Sequence, residues 1–162
     1  MAVNVGDRTL SKIEVLYRAT KLNEALSDLS LRSFGVRSRN SILRRKYEQA
    51  AHLDGDQERI DEIIEQKRKL IESLGDEITN LLMGANAIYP KSKAEYDLRI
   101  TYQDQALAAC NMVKSELNKI ARMFEVDINC FENSIKCLDY EIHLIKEWRK
   151  SDRTRFKGRL LH

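Results

Sequence analysis

The side chains best suited to chemistry in this 162-residue chain are three histidines, three cysteines and two arginine-rich stretches. His52, His143 and His162 stand apart, and no Ser/His/Asp grouping can be read from them. His143 and Lys146 have the His-x-x-Lys spacing of histidine phosphotransfer bundles, where the lysine offsets phosphate charge and a following glycine admits the partner. Here Glu147 stands in the glycine's place and adds bulk and negative charge. A di-iron bundle needs Glu-x-x-His on facing helices. Three residues before His143 stands Tyr140, and the nearest glutamate on that side, Glu141, falls on a different helical face. Cys110, Cys130 and Cys137 form no Cys-x-x-Cys pair. Cys130 and Cys137 lie two helical turns apart, about 10 Å, too far to share one metal ion. Such an odd, scattered set reads as buried thiols in a reducing compartment. The phosphate-cradling glycine loops of nucleotide-binding folds are absent. The acidic run at residues 54–58 misplaces its glycine for a calcium loop and reads as a helix start. No catalytic residue, metal site or cofactor is expected, and the chain reads as non-enzymatic.

The remaining chemistry is charge. The net charge is +3, with 33% of residues charged. Residues 32–46 hold Arg32, Arg37, Arg39, Arg44, Arg45 and Lys46 with no acidic residue, a local +6. Residues 149–162 hold Arg149, Lys150, Arg153, Arg155, Lys157 and Arg159 against Asp152 alone, a local +5. These stretches carry +11 between them, so the rest of the chain carries −8. Solvated surfaces ordinarily intersperse the two signs. Arginine predominates in both stretches, and its planar fork suits phosphate better than the point charge of lysine. The expected ligand is a polyanion, RNA above all, bound with a steep salt dependence. Its candidate contacts are Arg37, Arg39, Arg44, Arg45, Lys46, Arg149, Lys150, Arg153, Arg155, Lys157 and Arg159.

Helices must position these groups. Six glycines and one proline in 162 residues are too few turn formers for a sandwich, barrel or propeller. No run approaches 18 apolar residues, and the start lacks a signal-peptide core, so a cytoplasmic chain without a membrane span is expected. Ser11 and Glu14 have capping-box spacing, and Val15, Ala19, Leu22, Leu26 and Leu29 follow at helical steps toward a stop at Gly35. Ile60, Ile64, Lys67, Ile71, Leu74, Ile78, Leu81, Ala85 and Ile88 alternate by four and three toward Tyr89-Pro90, where propagation stops. A third helix starts at a Ser92–Glu95 capping box and runs through Tyr96, Ile100, Gln103, Leu107, Cys110, Val113, Leu117, Ile120 and Phe124. Asp127 can cap a fourth, carrying Ile128, Phe131, Ile135, Leu138, Ile142, Ile145 and Trp148. The pattern predicts an all-α, antiparallel up-and-down four-helix bundle whose second and third helices are near 50 Å long. Residues 1–10 read as a flexible N-terminus, 11–150 as the bundle with a basic connection at 32–56, and 151–162 as a basic C-terminal tail. Residues 38–53 can form a short extra helix. Lys67 and Gln103, polar within apolar stripes, point to faces that meet water or a neighbouring subunit, or to residues that set register.

Ala85-Asn86-Ala87-Ile88-Tyr89-Pro90, Glu95-Tyr96, Arg99, Tyr102-Gln103 and Trp148-Arg149-Lys150-Ser151-Asp152 together carry a resemblance. From about residue 32 to 152 the chain resembles accessory variability determinant (Avd) proteins of bacterial diversity-generating retroelements. Those are similar in turn to the four-helix bundles encoded by 23S ribosomal RNA intervening sequences. The resemblance implies a non-enzymatic bundle that assembles as a homo-oligomer, a pentamer. It also implies partners: a reverse transcriptase and its template RNA or cDNA, during mutagenic cDNA synthesis. Near helix ends, Tyr89, Tyr96, Tyr102 and Trp148 are candidates for stacking on unpaired bases or for packing beside the core. Two rival readings stand beside this one: a protein-binding helical adaptor without nucleic acid, and a histidine phosphotransfer module.

Overall fold

The computed structural model describes residues 3–36, 57–124 and 126–160. It is an all-α four-helix bundle built from α1 (Val3–Leu31), α2 (Gln57–Ala87), α3 (Lys93–Met123) and α4 (Glu132–Leu160). Single 3₁₀ turns at Ser33–Gly35 and Ile128–Phe131 follow α1 and lead into α4. Each helix packs on its sequence neighbours, and α1 closes the ring against α4. Successive helices run antiparallel, so α1 and α3 finish at one end, called upper here, and α2 and α4 finish at the lower end.

The expected α1 stripe of Val15, Ala19, Leu22, Leu26 and Leu29 is buried in full. The helix begins at Val3, however, about two turns before the Ser11 cap, so residues 3–10 are its first turns rather than a loose lead. At its upper end Ser33, Phe34 and Gly35 all take positive φ (52°, 56° and 69°), which turns the chain sharply and buries the Phe34 ring. A methyl group on Gly35 would meet Cβ and Sγ of Cys130 at 3.1 Å, so space as well as conformation calls for glycine. The Asp127 N–H donates to the Gly35 carbonyl at 2.9 Å, and Val36 bridges Val126, tying the two upper connections together.

α3 opens on the expected capping box. Ser92 Oγ accepts from the Glu95 N–H at 3.2 Å, and the Glu95 carboxylate accepts from the Ser92 N–H at 3.2 Å. Asp127 caps the 3₁₀ turn ahead of α4, accepting from the Asn129 N–H at 3.1 Å. The short extra helix expected at residues 38–53 lies outside the described residues.

Several positions differ from the apolar periodicity. Ile128 is exposed, Ile64 and Ile88 are half-buried, and Leu81 and Ile135 are half-buried beside the buried Leu82 and Ser134. Ile100, Leu107 and Ile142 are half-buried, while Arg99, Ala106 and Glu141, each one residue earlier, face the interior. The polar members of the stripes do not mark a wet face either. Gln103 is fully buried, and Lys67 Nζ meets Glu116 across the α2–α3 contact at 2.6 Å.

Glu141 is the most exposed to energetic argument. It is fully buried, and neither carboxylate oxygen has a hydrogen-bond partner among the described residues. Burial pushes its carboxyl up to about 8; Arg18 of α1 draws it back, and Glu14 adds to the rise. The neighbouring Cys110 thiol is pushed up to about 12, by burial first and the Glu141 charge second, so it stays protonated. Glu141 is therefore neutral at pH 7. Its folded-state value lies above the unfolded 4.5, so the proton held by the native state stabilises it fully below that value. The contribution disappears as pH rises through about 8. Urea titrations of parent and Glu141→Gln should diverge across this window. The parent should lose roughly 3–5 kcal/mol that the amide variant keeps.

Candidate nucleic-acid interface

The stretch expected as a basic C-terminal tail beyond residue 150 is helix as far as it is described: α4 continues unbroken to Leu160. Its continuation has a local cause. Asp152 turns inward rather than to solvent, where it would have offset its cationic neighbours, and is 1% exposed. Arg99 of α3, also 1% exposed, grips it with two parallel bonds, Nε to Oδ2 at 2.7 Å and Nη2 to Oδ1 at 3.0 Å. Gln103 Nε2 adds a third bond to Asp152 Oδ2 at 2.7 Å. The remaining arginine nitrogen, Nη1, donates to the carbonyls of Ala85 at 3.2 Å and Ile88 at 2.7 Å, where α2 ends. The guanidinium also lies 5.0 Å from the centroid of the Trp148 ring. Fork geometry and delocalised charge suit arginine to this place, since a lysine ammonium cannot pair the carboxylate with two parallel bonds and also reach both carbonyls. One turn beyond Asp152, the Phe156 ring is buried against Tyr96 (centroids 5.9 Å apart) and anchors the next stretch of helix.

With Asp152 neutralised inside, no acidic side chain reaches the surface of α4 beyond Glu147. Lys150, Arg153 and Lys157 are exposed there, and Lys146 joins them at a four-three-four spacing that defines one helical stripe. Among the described residues no carboxylate lies within ion-pair distance of these four. The stripe is about 16 Å long from first to last residue. Arg149 is only half available, since its Nη1 pairs with Asp104 of α3 at 3.1 Å. Arg155 turns away from the stripe and lies over the Tyr89 ring, 5.3 Å from its centroid. Arg159 falls in the last turn of the helix. Arg37, Arg39, Arg44, Arg45 and Lys46 lie outside the described residues.

The opposite side of the bundle carries the compensating charge. Glu24 and Asp28 of α1 line a shallow groove with Glu72 and Asp76 of α2. Farther up α2, Glu58, Asp61, Glu62 and Glu65 line another acidic surface. Three of these carboxylates are paired with cations three or four residues away, Glu24 with Lys21 at 3.0 Å, Asp28 with Arg32 at 3.3 Å and Glu65 with Arg68 at 3.2 Å. His143 is exposed on α4 one turn before Lys146. No three residues among His, Cys, Asp and Glu come together to hold a metal ion among the described residues, and no described helix is long and apolar enough to cross a membrane.

Sequence reasoning placed Lys146 only in the His-x-x-Lys spacing, not in this stripe, and missed the inward turn of Asp152. The spacing 146-150-153-157 is a usable signal for the first once the helix is carried past residue 150. The second has a weaker signal: 148, 152 and 156 continue the inner face at helical steps.

The fold and this surface define a helical bundle with one cationic helix edge. Comparison with protein-family models, curated proteins and solved structures found no match.

Asp152→Ala leaves Arg99 charged, buried and unpaired, and should cost about 3–5 kcal/mol in urea denaturation. Amide exchange should accelerate from residue 152 onward as the last turns of α4 loosen. Replacing both partners at once, Arg99→Met with Asp152→Leu, should recover most of the loss.

Proposed function

We propose that this chain is a non-catalytic nucleic-acid-binding bundle, an accessory factor that helps a retroelement reverse transcriptase engage template RNA for mutagenic cDNA synthesis. The observation that carries the binding half is the stripe Lys146, Lys150, Arg153 and Lys157, exposed without an ionic partner among the described residues. Its length matches several phosphates of one strand, and its rigidity lowers the entropy lost on binding. Arg149 and Arg159 extend the same helix, and the basic residues at 37–46 supply a second cationic segment in the sequence. The α1 and α2 surfaces lined by carboxylates, several of them paired with nearby cations, disfavour a polyanion relative to the α4 stripe. The retroelement half rests on the Avd resemblance, which also supplies the homo-oligomeric, pentameric form and the reverse transcriptase as protein partner.

Fluorescence anisotropy with labelled RNA over a salt series tests the binding half. The parent should bind with log affinity falling linearly against log salt. Substituting Lys146, Lys150, Arg153 and Lys157 with Ala should flatten that slope by about 0.7 for each phosphate of a single strand that is no longer neutralised. An unchanged slope would remove α4 as the interface. Retention of a reverse transcriptase but of no RNA at physiological salt would leave a protein-binding adaptor instead. Light scattering should return five times the 18.9 kDa chain mass for the pentamer.

A further inference from the structure

Tyr89 lies in the connection between α2 and α3, directly before the buried Pro90, and is 54% exposed. Exposed aromatic rings are usually free to reorient, but this one is held. Phe156 meets it edge-on, with centroids 6.1 Å apart and planes at 82°, and Phe156 is itself 1% exposed. The Arg155 guanidinium sits 5.3 Å from the ring centroid, with Nη2 3.5 Å from the phenol oxygen. The carboxylates of this corner are already engaged. Glu95 accepts from the backbone N–H groups of Lys91 and Ser92, and Asp97 pairs with Lys93 at 2.8 Å.

We propose that Tyr89, steadied by Arg155 and Phe156, is a stacking platform for an unpaired nucleobase of the strand whose phosphates lie along α4. This rests on the nucleic-acid reading of that helix. Arg155 lies between Arg153 and Lys157 in α4 but on its other side, so a strand leaving the stripe reaches Tyr89 by rounding that helix, about 10 Å across. The ring offers a π-face, and the arginine contributes a cation beside it. A base inside a duplex already has both faces covered by its neighbours, so the platform selects single-stranded or splayed bases. Tyr96 and Trp148, by contrast, are buried in the core and serve packing.

The test uses the full chain with a labelled oligouridine of about 12 nucleotides and an RNA duplex of equal charge. Tyr89→Ala should weaken single-strand binding 5- to 150-fold, the range that corresponds to stacking worth about 1–3 kcal/mol per base. Duplex binding and the salt slope should stay as in the parent, because every phosphate-neutralising cation is still in place. Tyr89→Trp should retain affinity, and its added fluorescence should be quenched by the single strand but not by the duplex. Parent-like single-strand affinity in Tyr89→Ala, alongside a slope that still responds to the Lys150, Arg153 and Lys157 substitutions, overturns the platform and leaves the interface standing. Equal losses on single strand and duplex also overturn it. Absence of binding by the parent at low salt removes the interface and the platform with it.

Discussion

Two charges taken out of water, Arg99 and Asp152, govern the lower end of the bundle. Removing an ion pair from solvent costs several kcal/mol per ion, and only good geometry with further hydrogen bonds returns it. Here the two parallel bonds of the pair are joined by the Gln103 amide, the Ala85 and Ile88 carbonyls and the Trp148 ring. Three helices meet in that one cluster. It fixes how far α4 extends past the turn between α2 and α3, and so where Phe156 lands. Arg155, Tyr89 and the outer cationic edge take their positions from that extension.

The architecture was readable because long apolar stripes at helical steps leave few alternatives to a bundle. The α1 stripe and the Ser92 cap were legible residue by residue, since each depends on local spacing alone. What escaped was decided across helices. An arginine next to an isoleucine gives no local sign that it faces inward, and Arg99 does so only because Asp152 arrives from α4. Glu141 and Ile142 pose the same ambiguity, resolved by how α1 and α3 close over them. The tail was misjudged for a related reason. A charged composition at the end of a chain resembles a solvated coil, whereas two inward residues, Asp152 and Phe156, suffice to hold it in register. Of the candidate interface, the α4 cations were legible as a cluster, but their division into an outer edge, an Asp104 partner and a Tyr89 partner is set by packing between helices.

The residues that carry the family resemblance have a plain structural employment. Tyr96, Arg99, Gln103, Trp148 and Asp152 all sit in or beside the buried cluster, and Pro90 is buried in the turn beside it. The stripe of Lys146, Lys150, Arg153 and Lys157 lies outside that pattern except at Lys150, and touches none of the cluster. Support for the fold and support for the ligand therefore come from separate sets of side chains, linked only through the rigidity of α4.

The two bonds from Arg99 to the Ala85 and Ile88 carbonyls reach beyond stability. A helix carries about half a negative elementary charge at its last turn, concentrated on unsatisfied carbonyls. Left bare, the α2 terminus would project that field toward the Tyr89 corner and push away any anionic guest. By seating a guanidinium on those oxygens, the molecule quiets the pole from within, and the Arg155 guanidinium is left to lie over the Tyr89 ring.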